Sequence, residues 1–242
     1  MVRKILEATG LDKTLIGKSY EKYIGPILSK MSRRKFVKKR KPAMDKYGIE
    51  ALDKLYKCCK KNNVPIWFEF GTMLGAIREH AFIAHDFDID TGMYYKDYSN
   101  KLERDLFDEG FTIKREFRLI KDRDIENKVM TEIALFYKGV FIDIFFSFIY
   151  DSTRSNYGCG SSLGKELMDK NYFSVKKYDY PVSDMKEIDF MGIRFMIPSN
   201  ADYCMKYVYG DNYMTPDPDF KPFAKFDLPY PEFYGEMIGS WE

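Results

Sequence analysis

Residues 70–93 of this 242-residue chain read FGTMLGAIREHAFIAHDFDIDTGM, and this stretch decides the fold. It begins with the Gly71-Thr72 turn, which follows a short aromatic run over 66–70 that is typical of a strand. After the turn, residues 73–80 have the composition of a short helix. Glycine lets a backbone approach a phosphate closely, and the amides at a helix N-terminus attract anions. The start of the stretch therefore predicts a strand–turn–helix unit that can bind phosphate.

The end of the stretch predicts a second strand, over 87–93, with a paired acidic site. Asp88 and Asp90 flank Ile89, and residues i and i+2 of a strand point to one face. The two carboxylates should therefore project together while Ile89 faces the core. Neighbouring carboxylates repel unless a proton or a cation lies between them, and Mg²⁺ prefers oxygen ligands. This pattern predicts a site for Mg²⁺ or Mn²⁺.

A third carboxylate is expected at the same site. Asp143 lies inside the apolar run VFIDIFF at 140–146, where an unpaired charge would be costly to bury. A metal ion shared with Asp88 and Asp90 would explain its position. We therefore predict these three aspartates as metal ligands and catalytic residues, with Asp143 also a candidate general base. The predicted phosphate- or donor-binding residues are Gly71, Thr72, Arg78 and Asp86.

Simpler roles remain open for several of these side chains. Asp88 and Asp90 could be ordinary surface carboxylates of an edge strand, and Asp143 could be a buried carboxylate that caps backbone amides. Asp86 could belong to the acidic cluster or cap the strand entry. Thr72 could serve only as a helix cap. Glu69 could lie behind the site or on an exposed sheet face. For His85 we favour packing or hydrogen bonding over metal binding.

The rest of the chain alternates helices and strands, which indicates an α+β or α/β fold with one sheet. We divide it into a basic N-terminal extension at 1–41 and a catalytic domain at 42–242. Residues 151–164, rich in serine and glycine, have the composition of a loop, and the proline-rich tail is expected to be irregular. The remaining predicted elements are a helix opened by Pro42 and ended at Asn62-Asn63, a helix at 97–109, strands at 111–119, 133–137 and 140–149, a hairpin at 188–197, and a helix from the Ser199 cap to Tyr209.

Composition narrows the class of protein further. Lys and Arg number 39 against 37 Asp and Glu, so the overall charge favours no class of partner. The four cysteines lack the spacing of a zinc site. We find neither a signal peptide nor a run of roughly 20 apolar residues, so we expect a soluble cytoplasmic protein.

A local positive patch is the exception to this balance of charge. The segment at 33–41 carries seven basic residues in nine positions. It could be a solvated helix face, or it could attract anionic lipid head groups or a polyanionic acceptor. The second option predicts peripheral contact with the inner face of a membrane. No base-reading surface accompanies the patch, so we expect no nucleic-acid partner.

The combined motifs resemble those of the LicD family, which includes bacterial phosphocholine transferases and fukutin-related proteins. The GTMLGAIR segment at 71–78, the FIAHDFDIDTGM segment at 82–93 and FIDIF at 141–145 match the family's motifs, and the likeness extends over about 44–215. The family's Pro-Trp is Ala84-His85 here, and its middle aspartate is Phe87. Asp86, Asp88 and Asp90 keep the alternation that would face a metal.

We expect residues 1–41, which lie outside the resemblance, to form a helical basic N-terminal extension. For the rest of the chain, the resemblance implies a nucleotidyltransferase-like mixed β-sheet flanked by helices. It also implies a reaction, in which phosphocholine, phosphoribitol or phosphoglycerol moves from a CDP-activated donor to a sugar hydroxyl of a cell-surface glycan and CMP leaves. The rings of Trp67, Tyr94, Tyr95 and Tyr98 could form a cage for choline or could simply pack, so they do not decide the cargo. Two other functions stay open: nucleotide transfer from an NTP, and a non-catalytic relative that binds glycan or membrane.

Overall fold

The computed structural model describes residues 25–167, 171–217 and 226–241. Outside them lie residues 1–24 of the predicted extension, the side chains of Arg33, Arg34 and Lys35 in the basic patch, and Pro218 and Pro222 of the tail. The chain divides into two units, Met1–Pro42 and Ala43–Glu242. None of the described helices is both long and apolar enough to cross a membrane.

Five α-helices and ten strands make up the described residues. The helices are α1 (Gly25–Lys61), α2 (Phe70–Glu79), α3 (Asn100–Asp108), α4 (Gly164–Leu167) and α5 (Ala201–Tyr209), with a 3₁₀ turn at Tyr95–Asp97. The first five strands are β1 (Ile66–Phe68), β2 (Ile89–Tyr94), β3 (Thr112–Lys121), β4 (Val129–Tyr137) and β5 (Val140–Tyr150). The remainder are β6 (Thr153–Ser162), β7 (Tyr172–Pro181), β8 (Met185–Phe190), β9 (Ile193–Pro198) and β10 (Phe233–Gly239).

The main sheet has eight strands in the order β1-β2-β5-β4-β3-β10-β7-β6. β6 also pairs with β5, so the six strands from β5 to β6 close on themselves, and every pairing in this ring is antiparallel. β2 extends the ring by a parallel pairing with β5, and β1 adds an antiparallel edge. The hairpin of β8 and β9 forms a separate two-stranded sheet.

The predicted nucleotidyltransferase-like sheet flanked by helices is therefore wrong, because this sheet is closed and dominated by antiparallel pairs. The prediction missed two strands because the composition of their segments is not typical of strands. The segment at 151–164 was predicted as a loop because it is rich in serine and in glycine, which is depleted in strands generally, yet most of it is β6. The tail likewise contains β10, which joins β3 to β7.

The start of α1 also differs from the prediction. Pro42 lies inside the helix, which begins seventeen residues earlier at Gly25. The lysines and arginines before Pro42 are good helix formers, and they extend the helix toward the N-terminus. At α5 the N-cap is Asn200, not Ser199. The predicted hairpin at 188–197 is confirmed as β8 and β9.

The main core lies on the face of the sheet that carries Ile133, Leu135, Ile142 and Ile144. Apolar residues of α1, α2, α3 and α5 pack in the same cluster, including Leu52, Met73, Leu106 and Met205, all fully buried. A smaller cluster, with Phe117, Tyr157 and Val175, joins β3, β6 and β7 of the ring. The main core fixes α2 and β2 against β5, and this brings the predicted site residues together.

Candidate active site

Asp90 and Asp143 are neighbours across the parallel pair of β2 and β5. Their Cα positions are in register. Register partners in a sheet share a face, so both side chains project to the same side. Asp143 is 8% exposed, whereas Asp90 is partly exposed. Asp88 lies one residue before β2 and is partly exposed too, so the strand that was predicted to include it begins at Ile89.

The Gly71-Thr72 turn is bonded to Asp90 from two sides. The Gly71 N–H donates to Asp90 Oδ2 at 3.0 Å, and the Asp90 N–H donates to Thr72 Oγ1 at 2.8 Å. Thr72 is buried, and Glu69 takes the N-cap position of α2. Phe70 starts the helix with φ +40°, which turns the chain sharply out of β1. The turn thus orients Asp90, and the predicted phosphate contacts of Gly71 and Thr72 stay a prediction.

The environment of Asp90 disfavours its negative charge. Burial raises the pKa of Asp90 well above its usual 3.8, and the charges of Asp88, Asp143 and Asp86 raise it further. The hydrogen bond from the Gly71 amide opposes this shift only in part. A cation among these carboxylates would relieve the repulsion, so the donor set suits a hard divalent ion.

The described residues do not form a closed metal cage. Among them, no three His, Cys, Asp or Glu side chains are grouped so that they could hold an ion by themselves. Mg²⁺ in proteins is commonly held by one or two carboxylates, with water and substrate phosphates in its other positions. The arrangement of Asp88, Asp90 and Asp143 is compatible with that kind of binding, and the metal itself stays a prediction.

Arg115 is a site residue that the sequence analysis missed. Its Nη2 donates to Asp143 Oδ1 at 2.8 Å and to Glu132 Oε1 at 2.9 Å, and all three side chains are buried. Arg115 and Asp143 both have Ala134 as register partner, from β3 and β5. The small side chain of Ala134 leaves room for the guanidinium to reach across β4.

Burial and charge act against each other on Glu132. Burial raises the pKa of Glu132, the guanidinium of Arg115 lowers it, and Asp143 raises it again, for a net upward shift. No sequence signal pointed to these residues, since they come from strands whose pairing was unknown.

The chain just beyond β10 covers Arg115. The Trp241 ring centroid lies 4.1 Å from the guanidinium carbon, within the range of a cation–π contact. The chain turns at Gly239, which has φ +98°, and Ser240 N–H bonds to Lys114 O at 3.2 Å. The guanidinium is thus held by two carboxylates and an aromatic face.

A second buried network lies beside the site and contains Glu69. Glu69 Oε1 accepts bonds from Trp67 Nε1 at 2.7 Å and Asn156 Nδ2 at 3.2 Å, and it pairs with Arg154 Nη1. All four side chains are buried. Of the two roles left open for Glu69, the exposed sheet face is therefore excluded.

Arg78 and Asp86 lie near α5. Arg78 Nη2 donates to Thr215 O at 3.2 Å, at the end of α2 away from Gly71. Burial raises the pKa of Tyr209, the charges of Asp90 and Asp86 raise it further, and Arg78 opposes them, so this tyrosine lies within electrostatic reach of all three. The donor-binding roles of Arg78 and Asp86 stay predictions.

The four rings considered as a choline cage have different surroundings. Trp67 is fully buried, and the Tyr98 hydroxyl bonds to Glu103 at 2.6 Å. Tyr94 and Tyr95 line a cleft of about 230 Å³ with Lys96 and residues 147–150 of β5. Tyr94 lies four residues beyond Asp90 on β2, roughly 13 Å at the usual rise of a strand.

Comparison with known proteins assigns the class. Residues 63–200 match the family described as "LicD/FKTN/FKRP, nucleotidyltransferase domain", and the chain belongs to this LicD family. The match contains the Gly71-Thr72 turn, the aspartates and Arg115. The resemblance inferred from the motifs is therefore confirmed.

Among individual proteins, the chain is similar to three called "Ribitol-5-phosphate transferase FKTN". It is 25% identical to that of Macaca fascicularis over 177 residues and 24% identical to that of Homo sapiens over the same length. With the Mus musculus protein it shares 25% identity over 174 residues. These alignments cover 71–72% of this chain but only 34% of each relative, so the chain spans about a third of their length.

Proposed function

We propose that this chain is a transferase that moves a phospho-alcohol from a nucleotide-activated donor to a sugar hydroxyl of a glycan. The observation that carries the proposal is the in-register pair of Asp90 and Asp143, joined to the Gly71-Thr72 turn inside the segment that defines the family. The names of the three relatives favour ribitol phosphate as the cargo. We further propose CDP as the activating group, which makes CMP the leaving product.

In the proposed reaction, an acceptor hydroxyl oxygen attacks the phosphorus that carries the alcohol. A new P–O bond forms to the sugar, the bond between this phosphorus and the bridging oxygen breaks, and CMP departs with the electron pair. Negative charge builds up on the phosphoryl oxygens and on CMP, so stabilising that charge is the main task of the site. Asp88, Asp90 and Asp143 would hold Mg²⁺ or Mn²⁺, which would neutralise this charge.

The protein's own contribution is orientation. The hydrogen bonds of Gly71 and Thr72 fix Asp90, and Arg115 fixes Asp143 by committing its Oδ1 to the guanidinium. Arg78 lies at the end of α2, where its charge can attract an anionic donor. The acceptor proton has to pass to a base, and Asp143 remains our candidate for it.

The test is release of CMP from CDP-ribitol, CDP-glycerol and CDP-choline by the full chain. Each donor is incubated with acceptor glycan and Mg²⁺ or Mn²⁺, and in parallel with EDTA. We expect release from CDP-ribitol that EDTA abolishes. Pyrophosphate release from an NTP, with no turnover of any CDP donor, would instead indicate nucleotide transfer.

Asp90→Asn is the informative variant, and Asp189→Asn is its matched control. Asp189 lies on β8 with its side chain 81% exposed, away from the aspartate pair. We expect Asp90→Asn to lower kcat at least about 100-fold, as loss of a major charge-stabilising group does, while the control keeps full activity. Wild-type turnover in Asp90→Asn would refute the proposed site.

A further inference from the structure

The feature that leads beyond the proposed function is the buried cation next to the aspartates. A guanidinium stays charged at any pH that a protein tolerates. That of Arg115 contacts Asp143 Oδ1 at 2.8 Å, and the Arg115 side chain is only 4% exposed. One of the three predicted metal ligands therefore already has a permanent positive partner.

The surroundings hold this cation in place. Glu132 accepts from the same Nη2 at 2.9 Å with a side chain 5% exposed, and Trp241 covers the guanidinium at 4.1 Å. Removing Arg115 from Asp143 would leave two buried carboxylates facing each other, which is costly. We expect the guanidinium to remain on Asp143 when other ligands bind.

This arrangement bears on the number of metal ions. Two-metal sites place their ions about 3.5–4 Å apart and bridge them with shared carboxylates. A second ion on Asp143 would lie beside the guanidinium, where like charges repel. Asp90, in register with Asp143, is joined by Asp88 one residue before β2, and these two can hold one ion without displacing Arg115.

We propose that the site binds a single divalent cation, on the side of Asp88 and Asp90, and that Arg115 supplies the second positive charge as a permanent part of the protein. Arg115 is then a positioning residue, since it acts through Asp143. The inference rests on the proposed function for the presence of a metal. It narrows the expected protein ligands to Asp88 and Asp90, and it adds the count of ions and the role of Arg115.

Titration calorimetry of the metal-free full chain with Mn²⁺ tests the proposal. We expect one ion per chain, and no ion in Asp90→Asn. Arg115→Met should bind two ions, because the second takes the place of the guanidinium. Arg115→Lys keeps the charge and should still bind one. Circular dichroism and Tm with and without Mn²⁺ establish that each variant folds.

The outcomes separate the two proposals. Two ions in the wild type, both lost in Asp90→Asn, would overturn the single-ion inference and leave the proposed transferase intact. A single ion in a folded Arg115→Met variant would overturn the role of Arg115. If Arg115→Met does not fold, the number of Mn²⁺ ions bound by the wild type still tests the single-ion inference. Two ions bound by Arg115→Lys would contradict the proposal. Absence of Mn²⁺ binding by the wild type, with CMP release persisting in EDTA, would remove the metal and this inference together.

Discussion

Asp90 on β2 lies directly opposite Asp143 on β5, and the two carboxylates share one face of a parallel strand pair. Two negative charges this close together destabilise the folded state unless a proton or a positive charge compensates them. The main core nevertheless holds both strands firmly, with Ile89 and Ile142 fully buried behind them. The structure thus keeps Asp90 in an environment that disfavours its charge, as expected where a cation or a substrate is to be bound.

Asp90→Asn should stabilise the metal-free protein while it removes activity. The amide keeps an oxygen that can accept from Gly71 N–H, and it removes the charge repelled by Asp88 and Asp143. For a chain of this size, each 1 kcal/mol gained raises Tm by about 2–4 °C. Calorimetry in EDTA measures the shift. A lower Tm for the variant would mean that the charge of Asp90 is already compensated within the protein.

The same substitution predicts an unusual dependence of stability on pH. The pKa of Asp90 is raised in the folded state, so the folded protein binds this proton more tightly than the unfolded chain does. The charge of Asp90 lowers the stability of the folded state. This loss of stability is fully present above the raised pKa, and it disappears as pH falls through that pKa toward the usual 3.8. The stability advantage of Asp90→Asn should therefore shrink as pH falls. Denaturant titrations of both proteins across this range supply the test, and an advantage that grows on acidification would contradict it.

Mn²⁺ should raise the Tm of the wild type and not that of Asp90→Asn. A ligand that binds only the folded state at 100 times its Kd stabilises by about 2.7 kcal/mol. Asp189→Asn serves again as the control and should respond like the wild type. Equal shifts in all three proteins would place Mn²⁺ binding elsewhere on the chain.

Gly92→Ala should destabilise the fold beside the site, because Gly92 and Asp90 are two residues apart on β2 and face the same side. An added Cβ would lie 2.3 Å from Trp67 Nε1 and 2.8 Å from Glu69 Cγ, which is too close without movement of both. Overpacking of this kind costs about 1–3 kcal/mol. Gly158→Ala on β6 is the control, since its nearest neighbour would be 3.8 Å away. Urea denaturation measures the loss of stability in both variants. Equal losses would show that the Trp67 side chain moves aside without a cost in stability.

Glu69→Gln should lower the free energy of unfolding far more than the loss of an exposed ion pair does. Glu69 is fully buried, and the change leaves the Arg154 guanidinium without its carboxylate. Breaking a buried pair from one side costs about 3–5 kcal/mol. In the exposed pair of Glu187 with Arg194, the side chains are 51% and 70% accessible, and Glu187→Gln should cost less than about 1 kcal/mol. A similar loss in both variants would argue that Glu69 is well solvated.

The local elements around the site were predictable because each has its own sequence signal. The β1–α2–β2 unit, the apolar β5 and the β8–β9 hairpin all appear within one or a few residues of their predicted positions. Strand periodicity also indicated that Asp90 points away from the core that Ile89 faces. The motifs of this region were sufficient to identify the family.

The closure of the sheet was not predictable in this way. β10 pairs with β3 although more than a hundred residues separate them. β6 pairs with β7, but its serine- and glycine-rich composition does not indicate a strand. Periodicity describes which way a side chain points along one strand, and it carries no information about which strand lies alongside. The predicted mixed sheet flanked by helices was wrong for this reason.

By itself, the sequence determined the family and the short elements, and it predicted the residues for the acidic chemistry, because these depend on local spacing. Only the tertiary structure decided the partners of that chemistry. Arg115 meets Asp143 across 28 residues of chain, and Arg154 meets Glu69 across 85. Such pairs form because a buried charge has to find its counterion wherever the packing of the whole sheet places it, and that packing is a property of the entire chain.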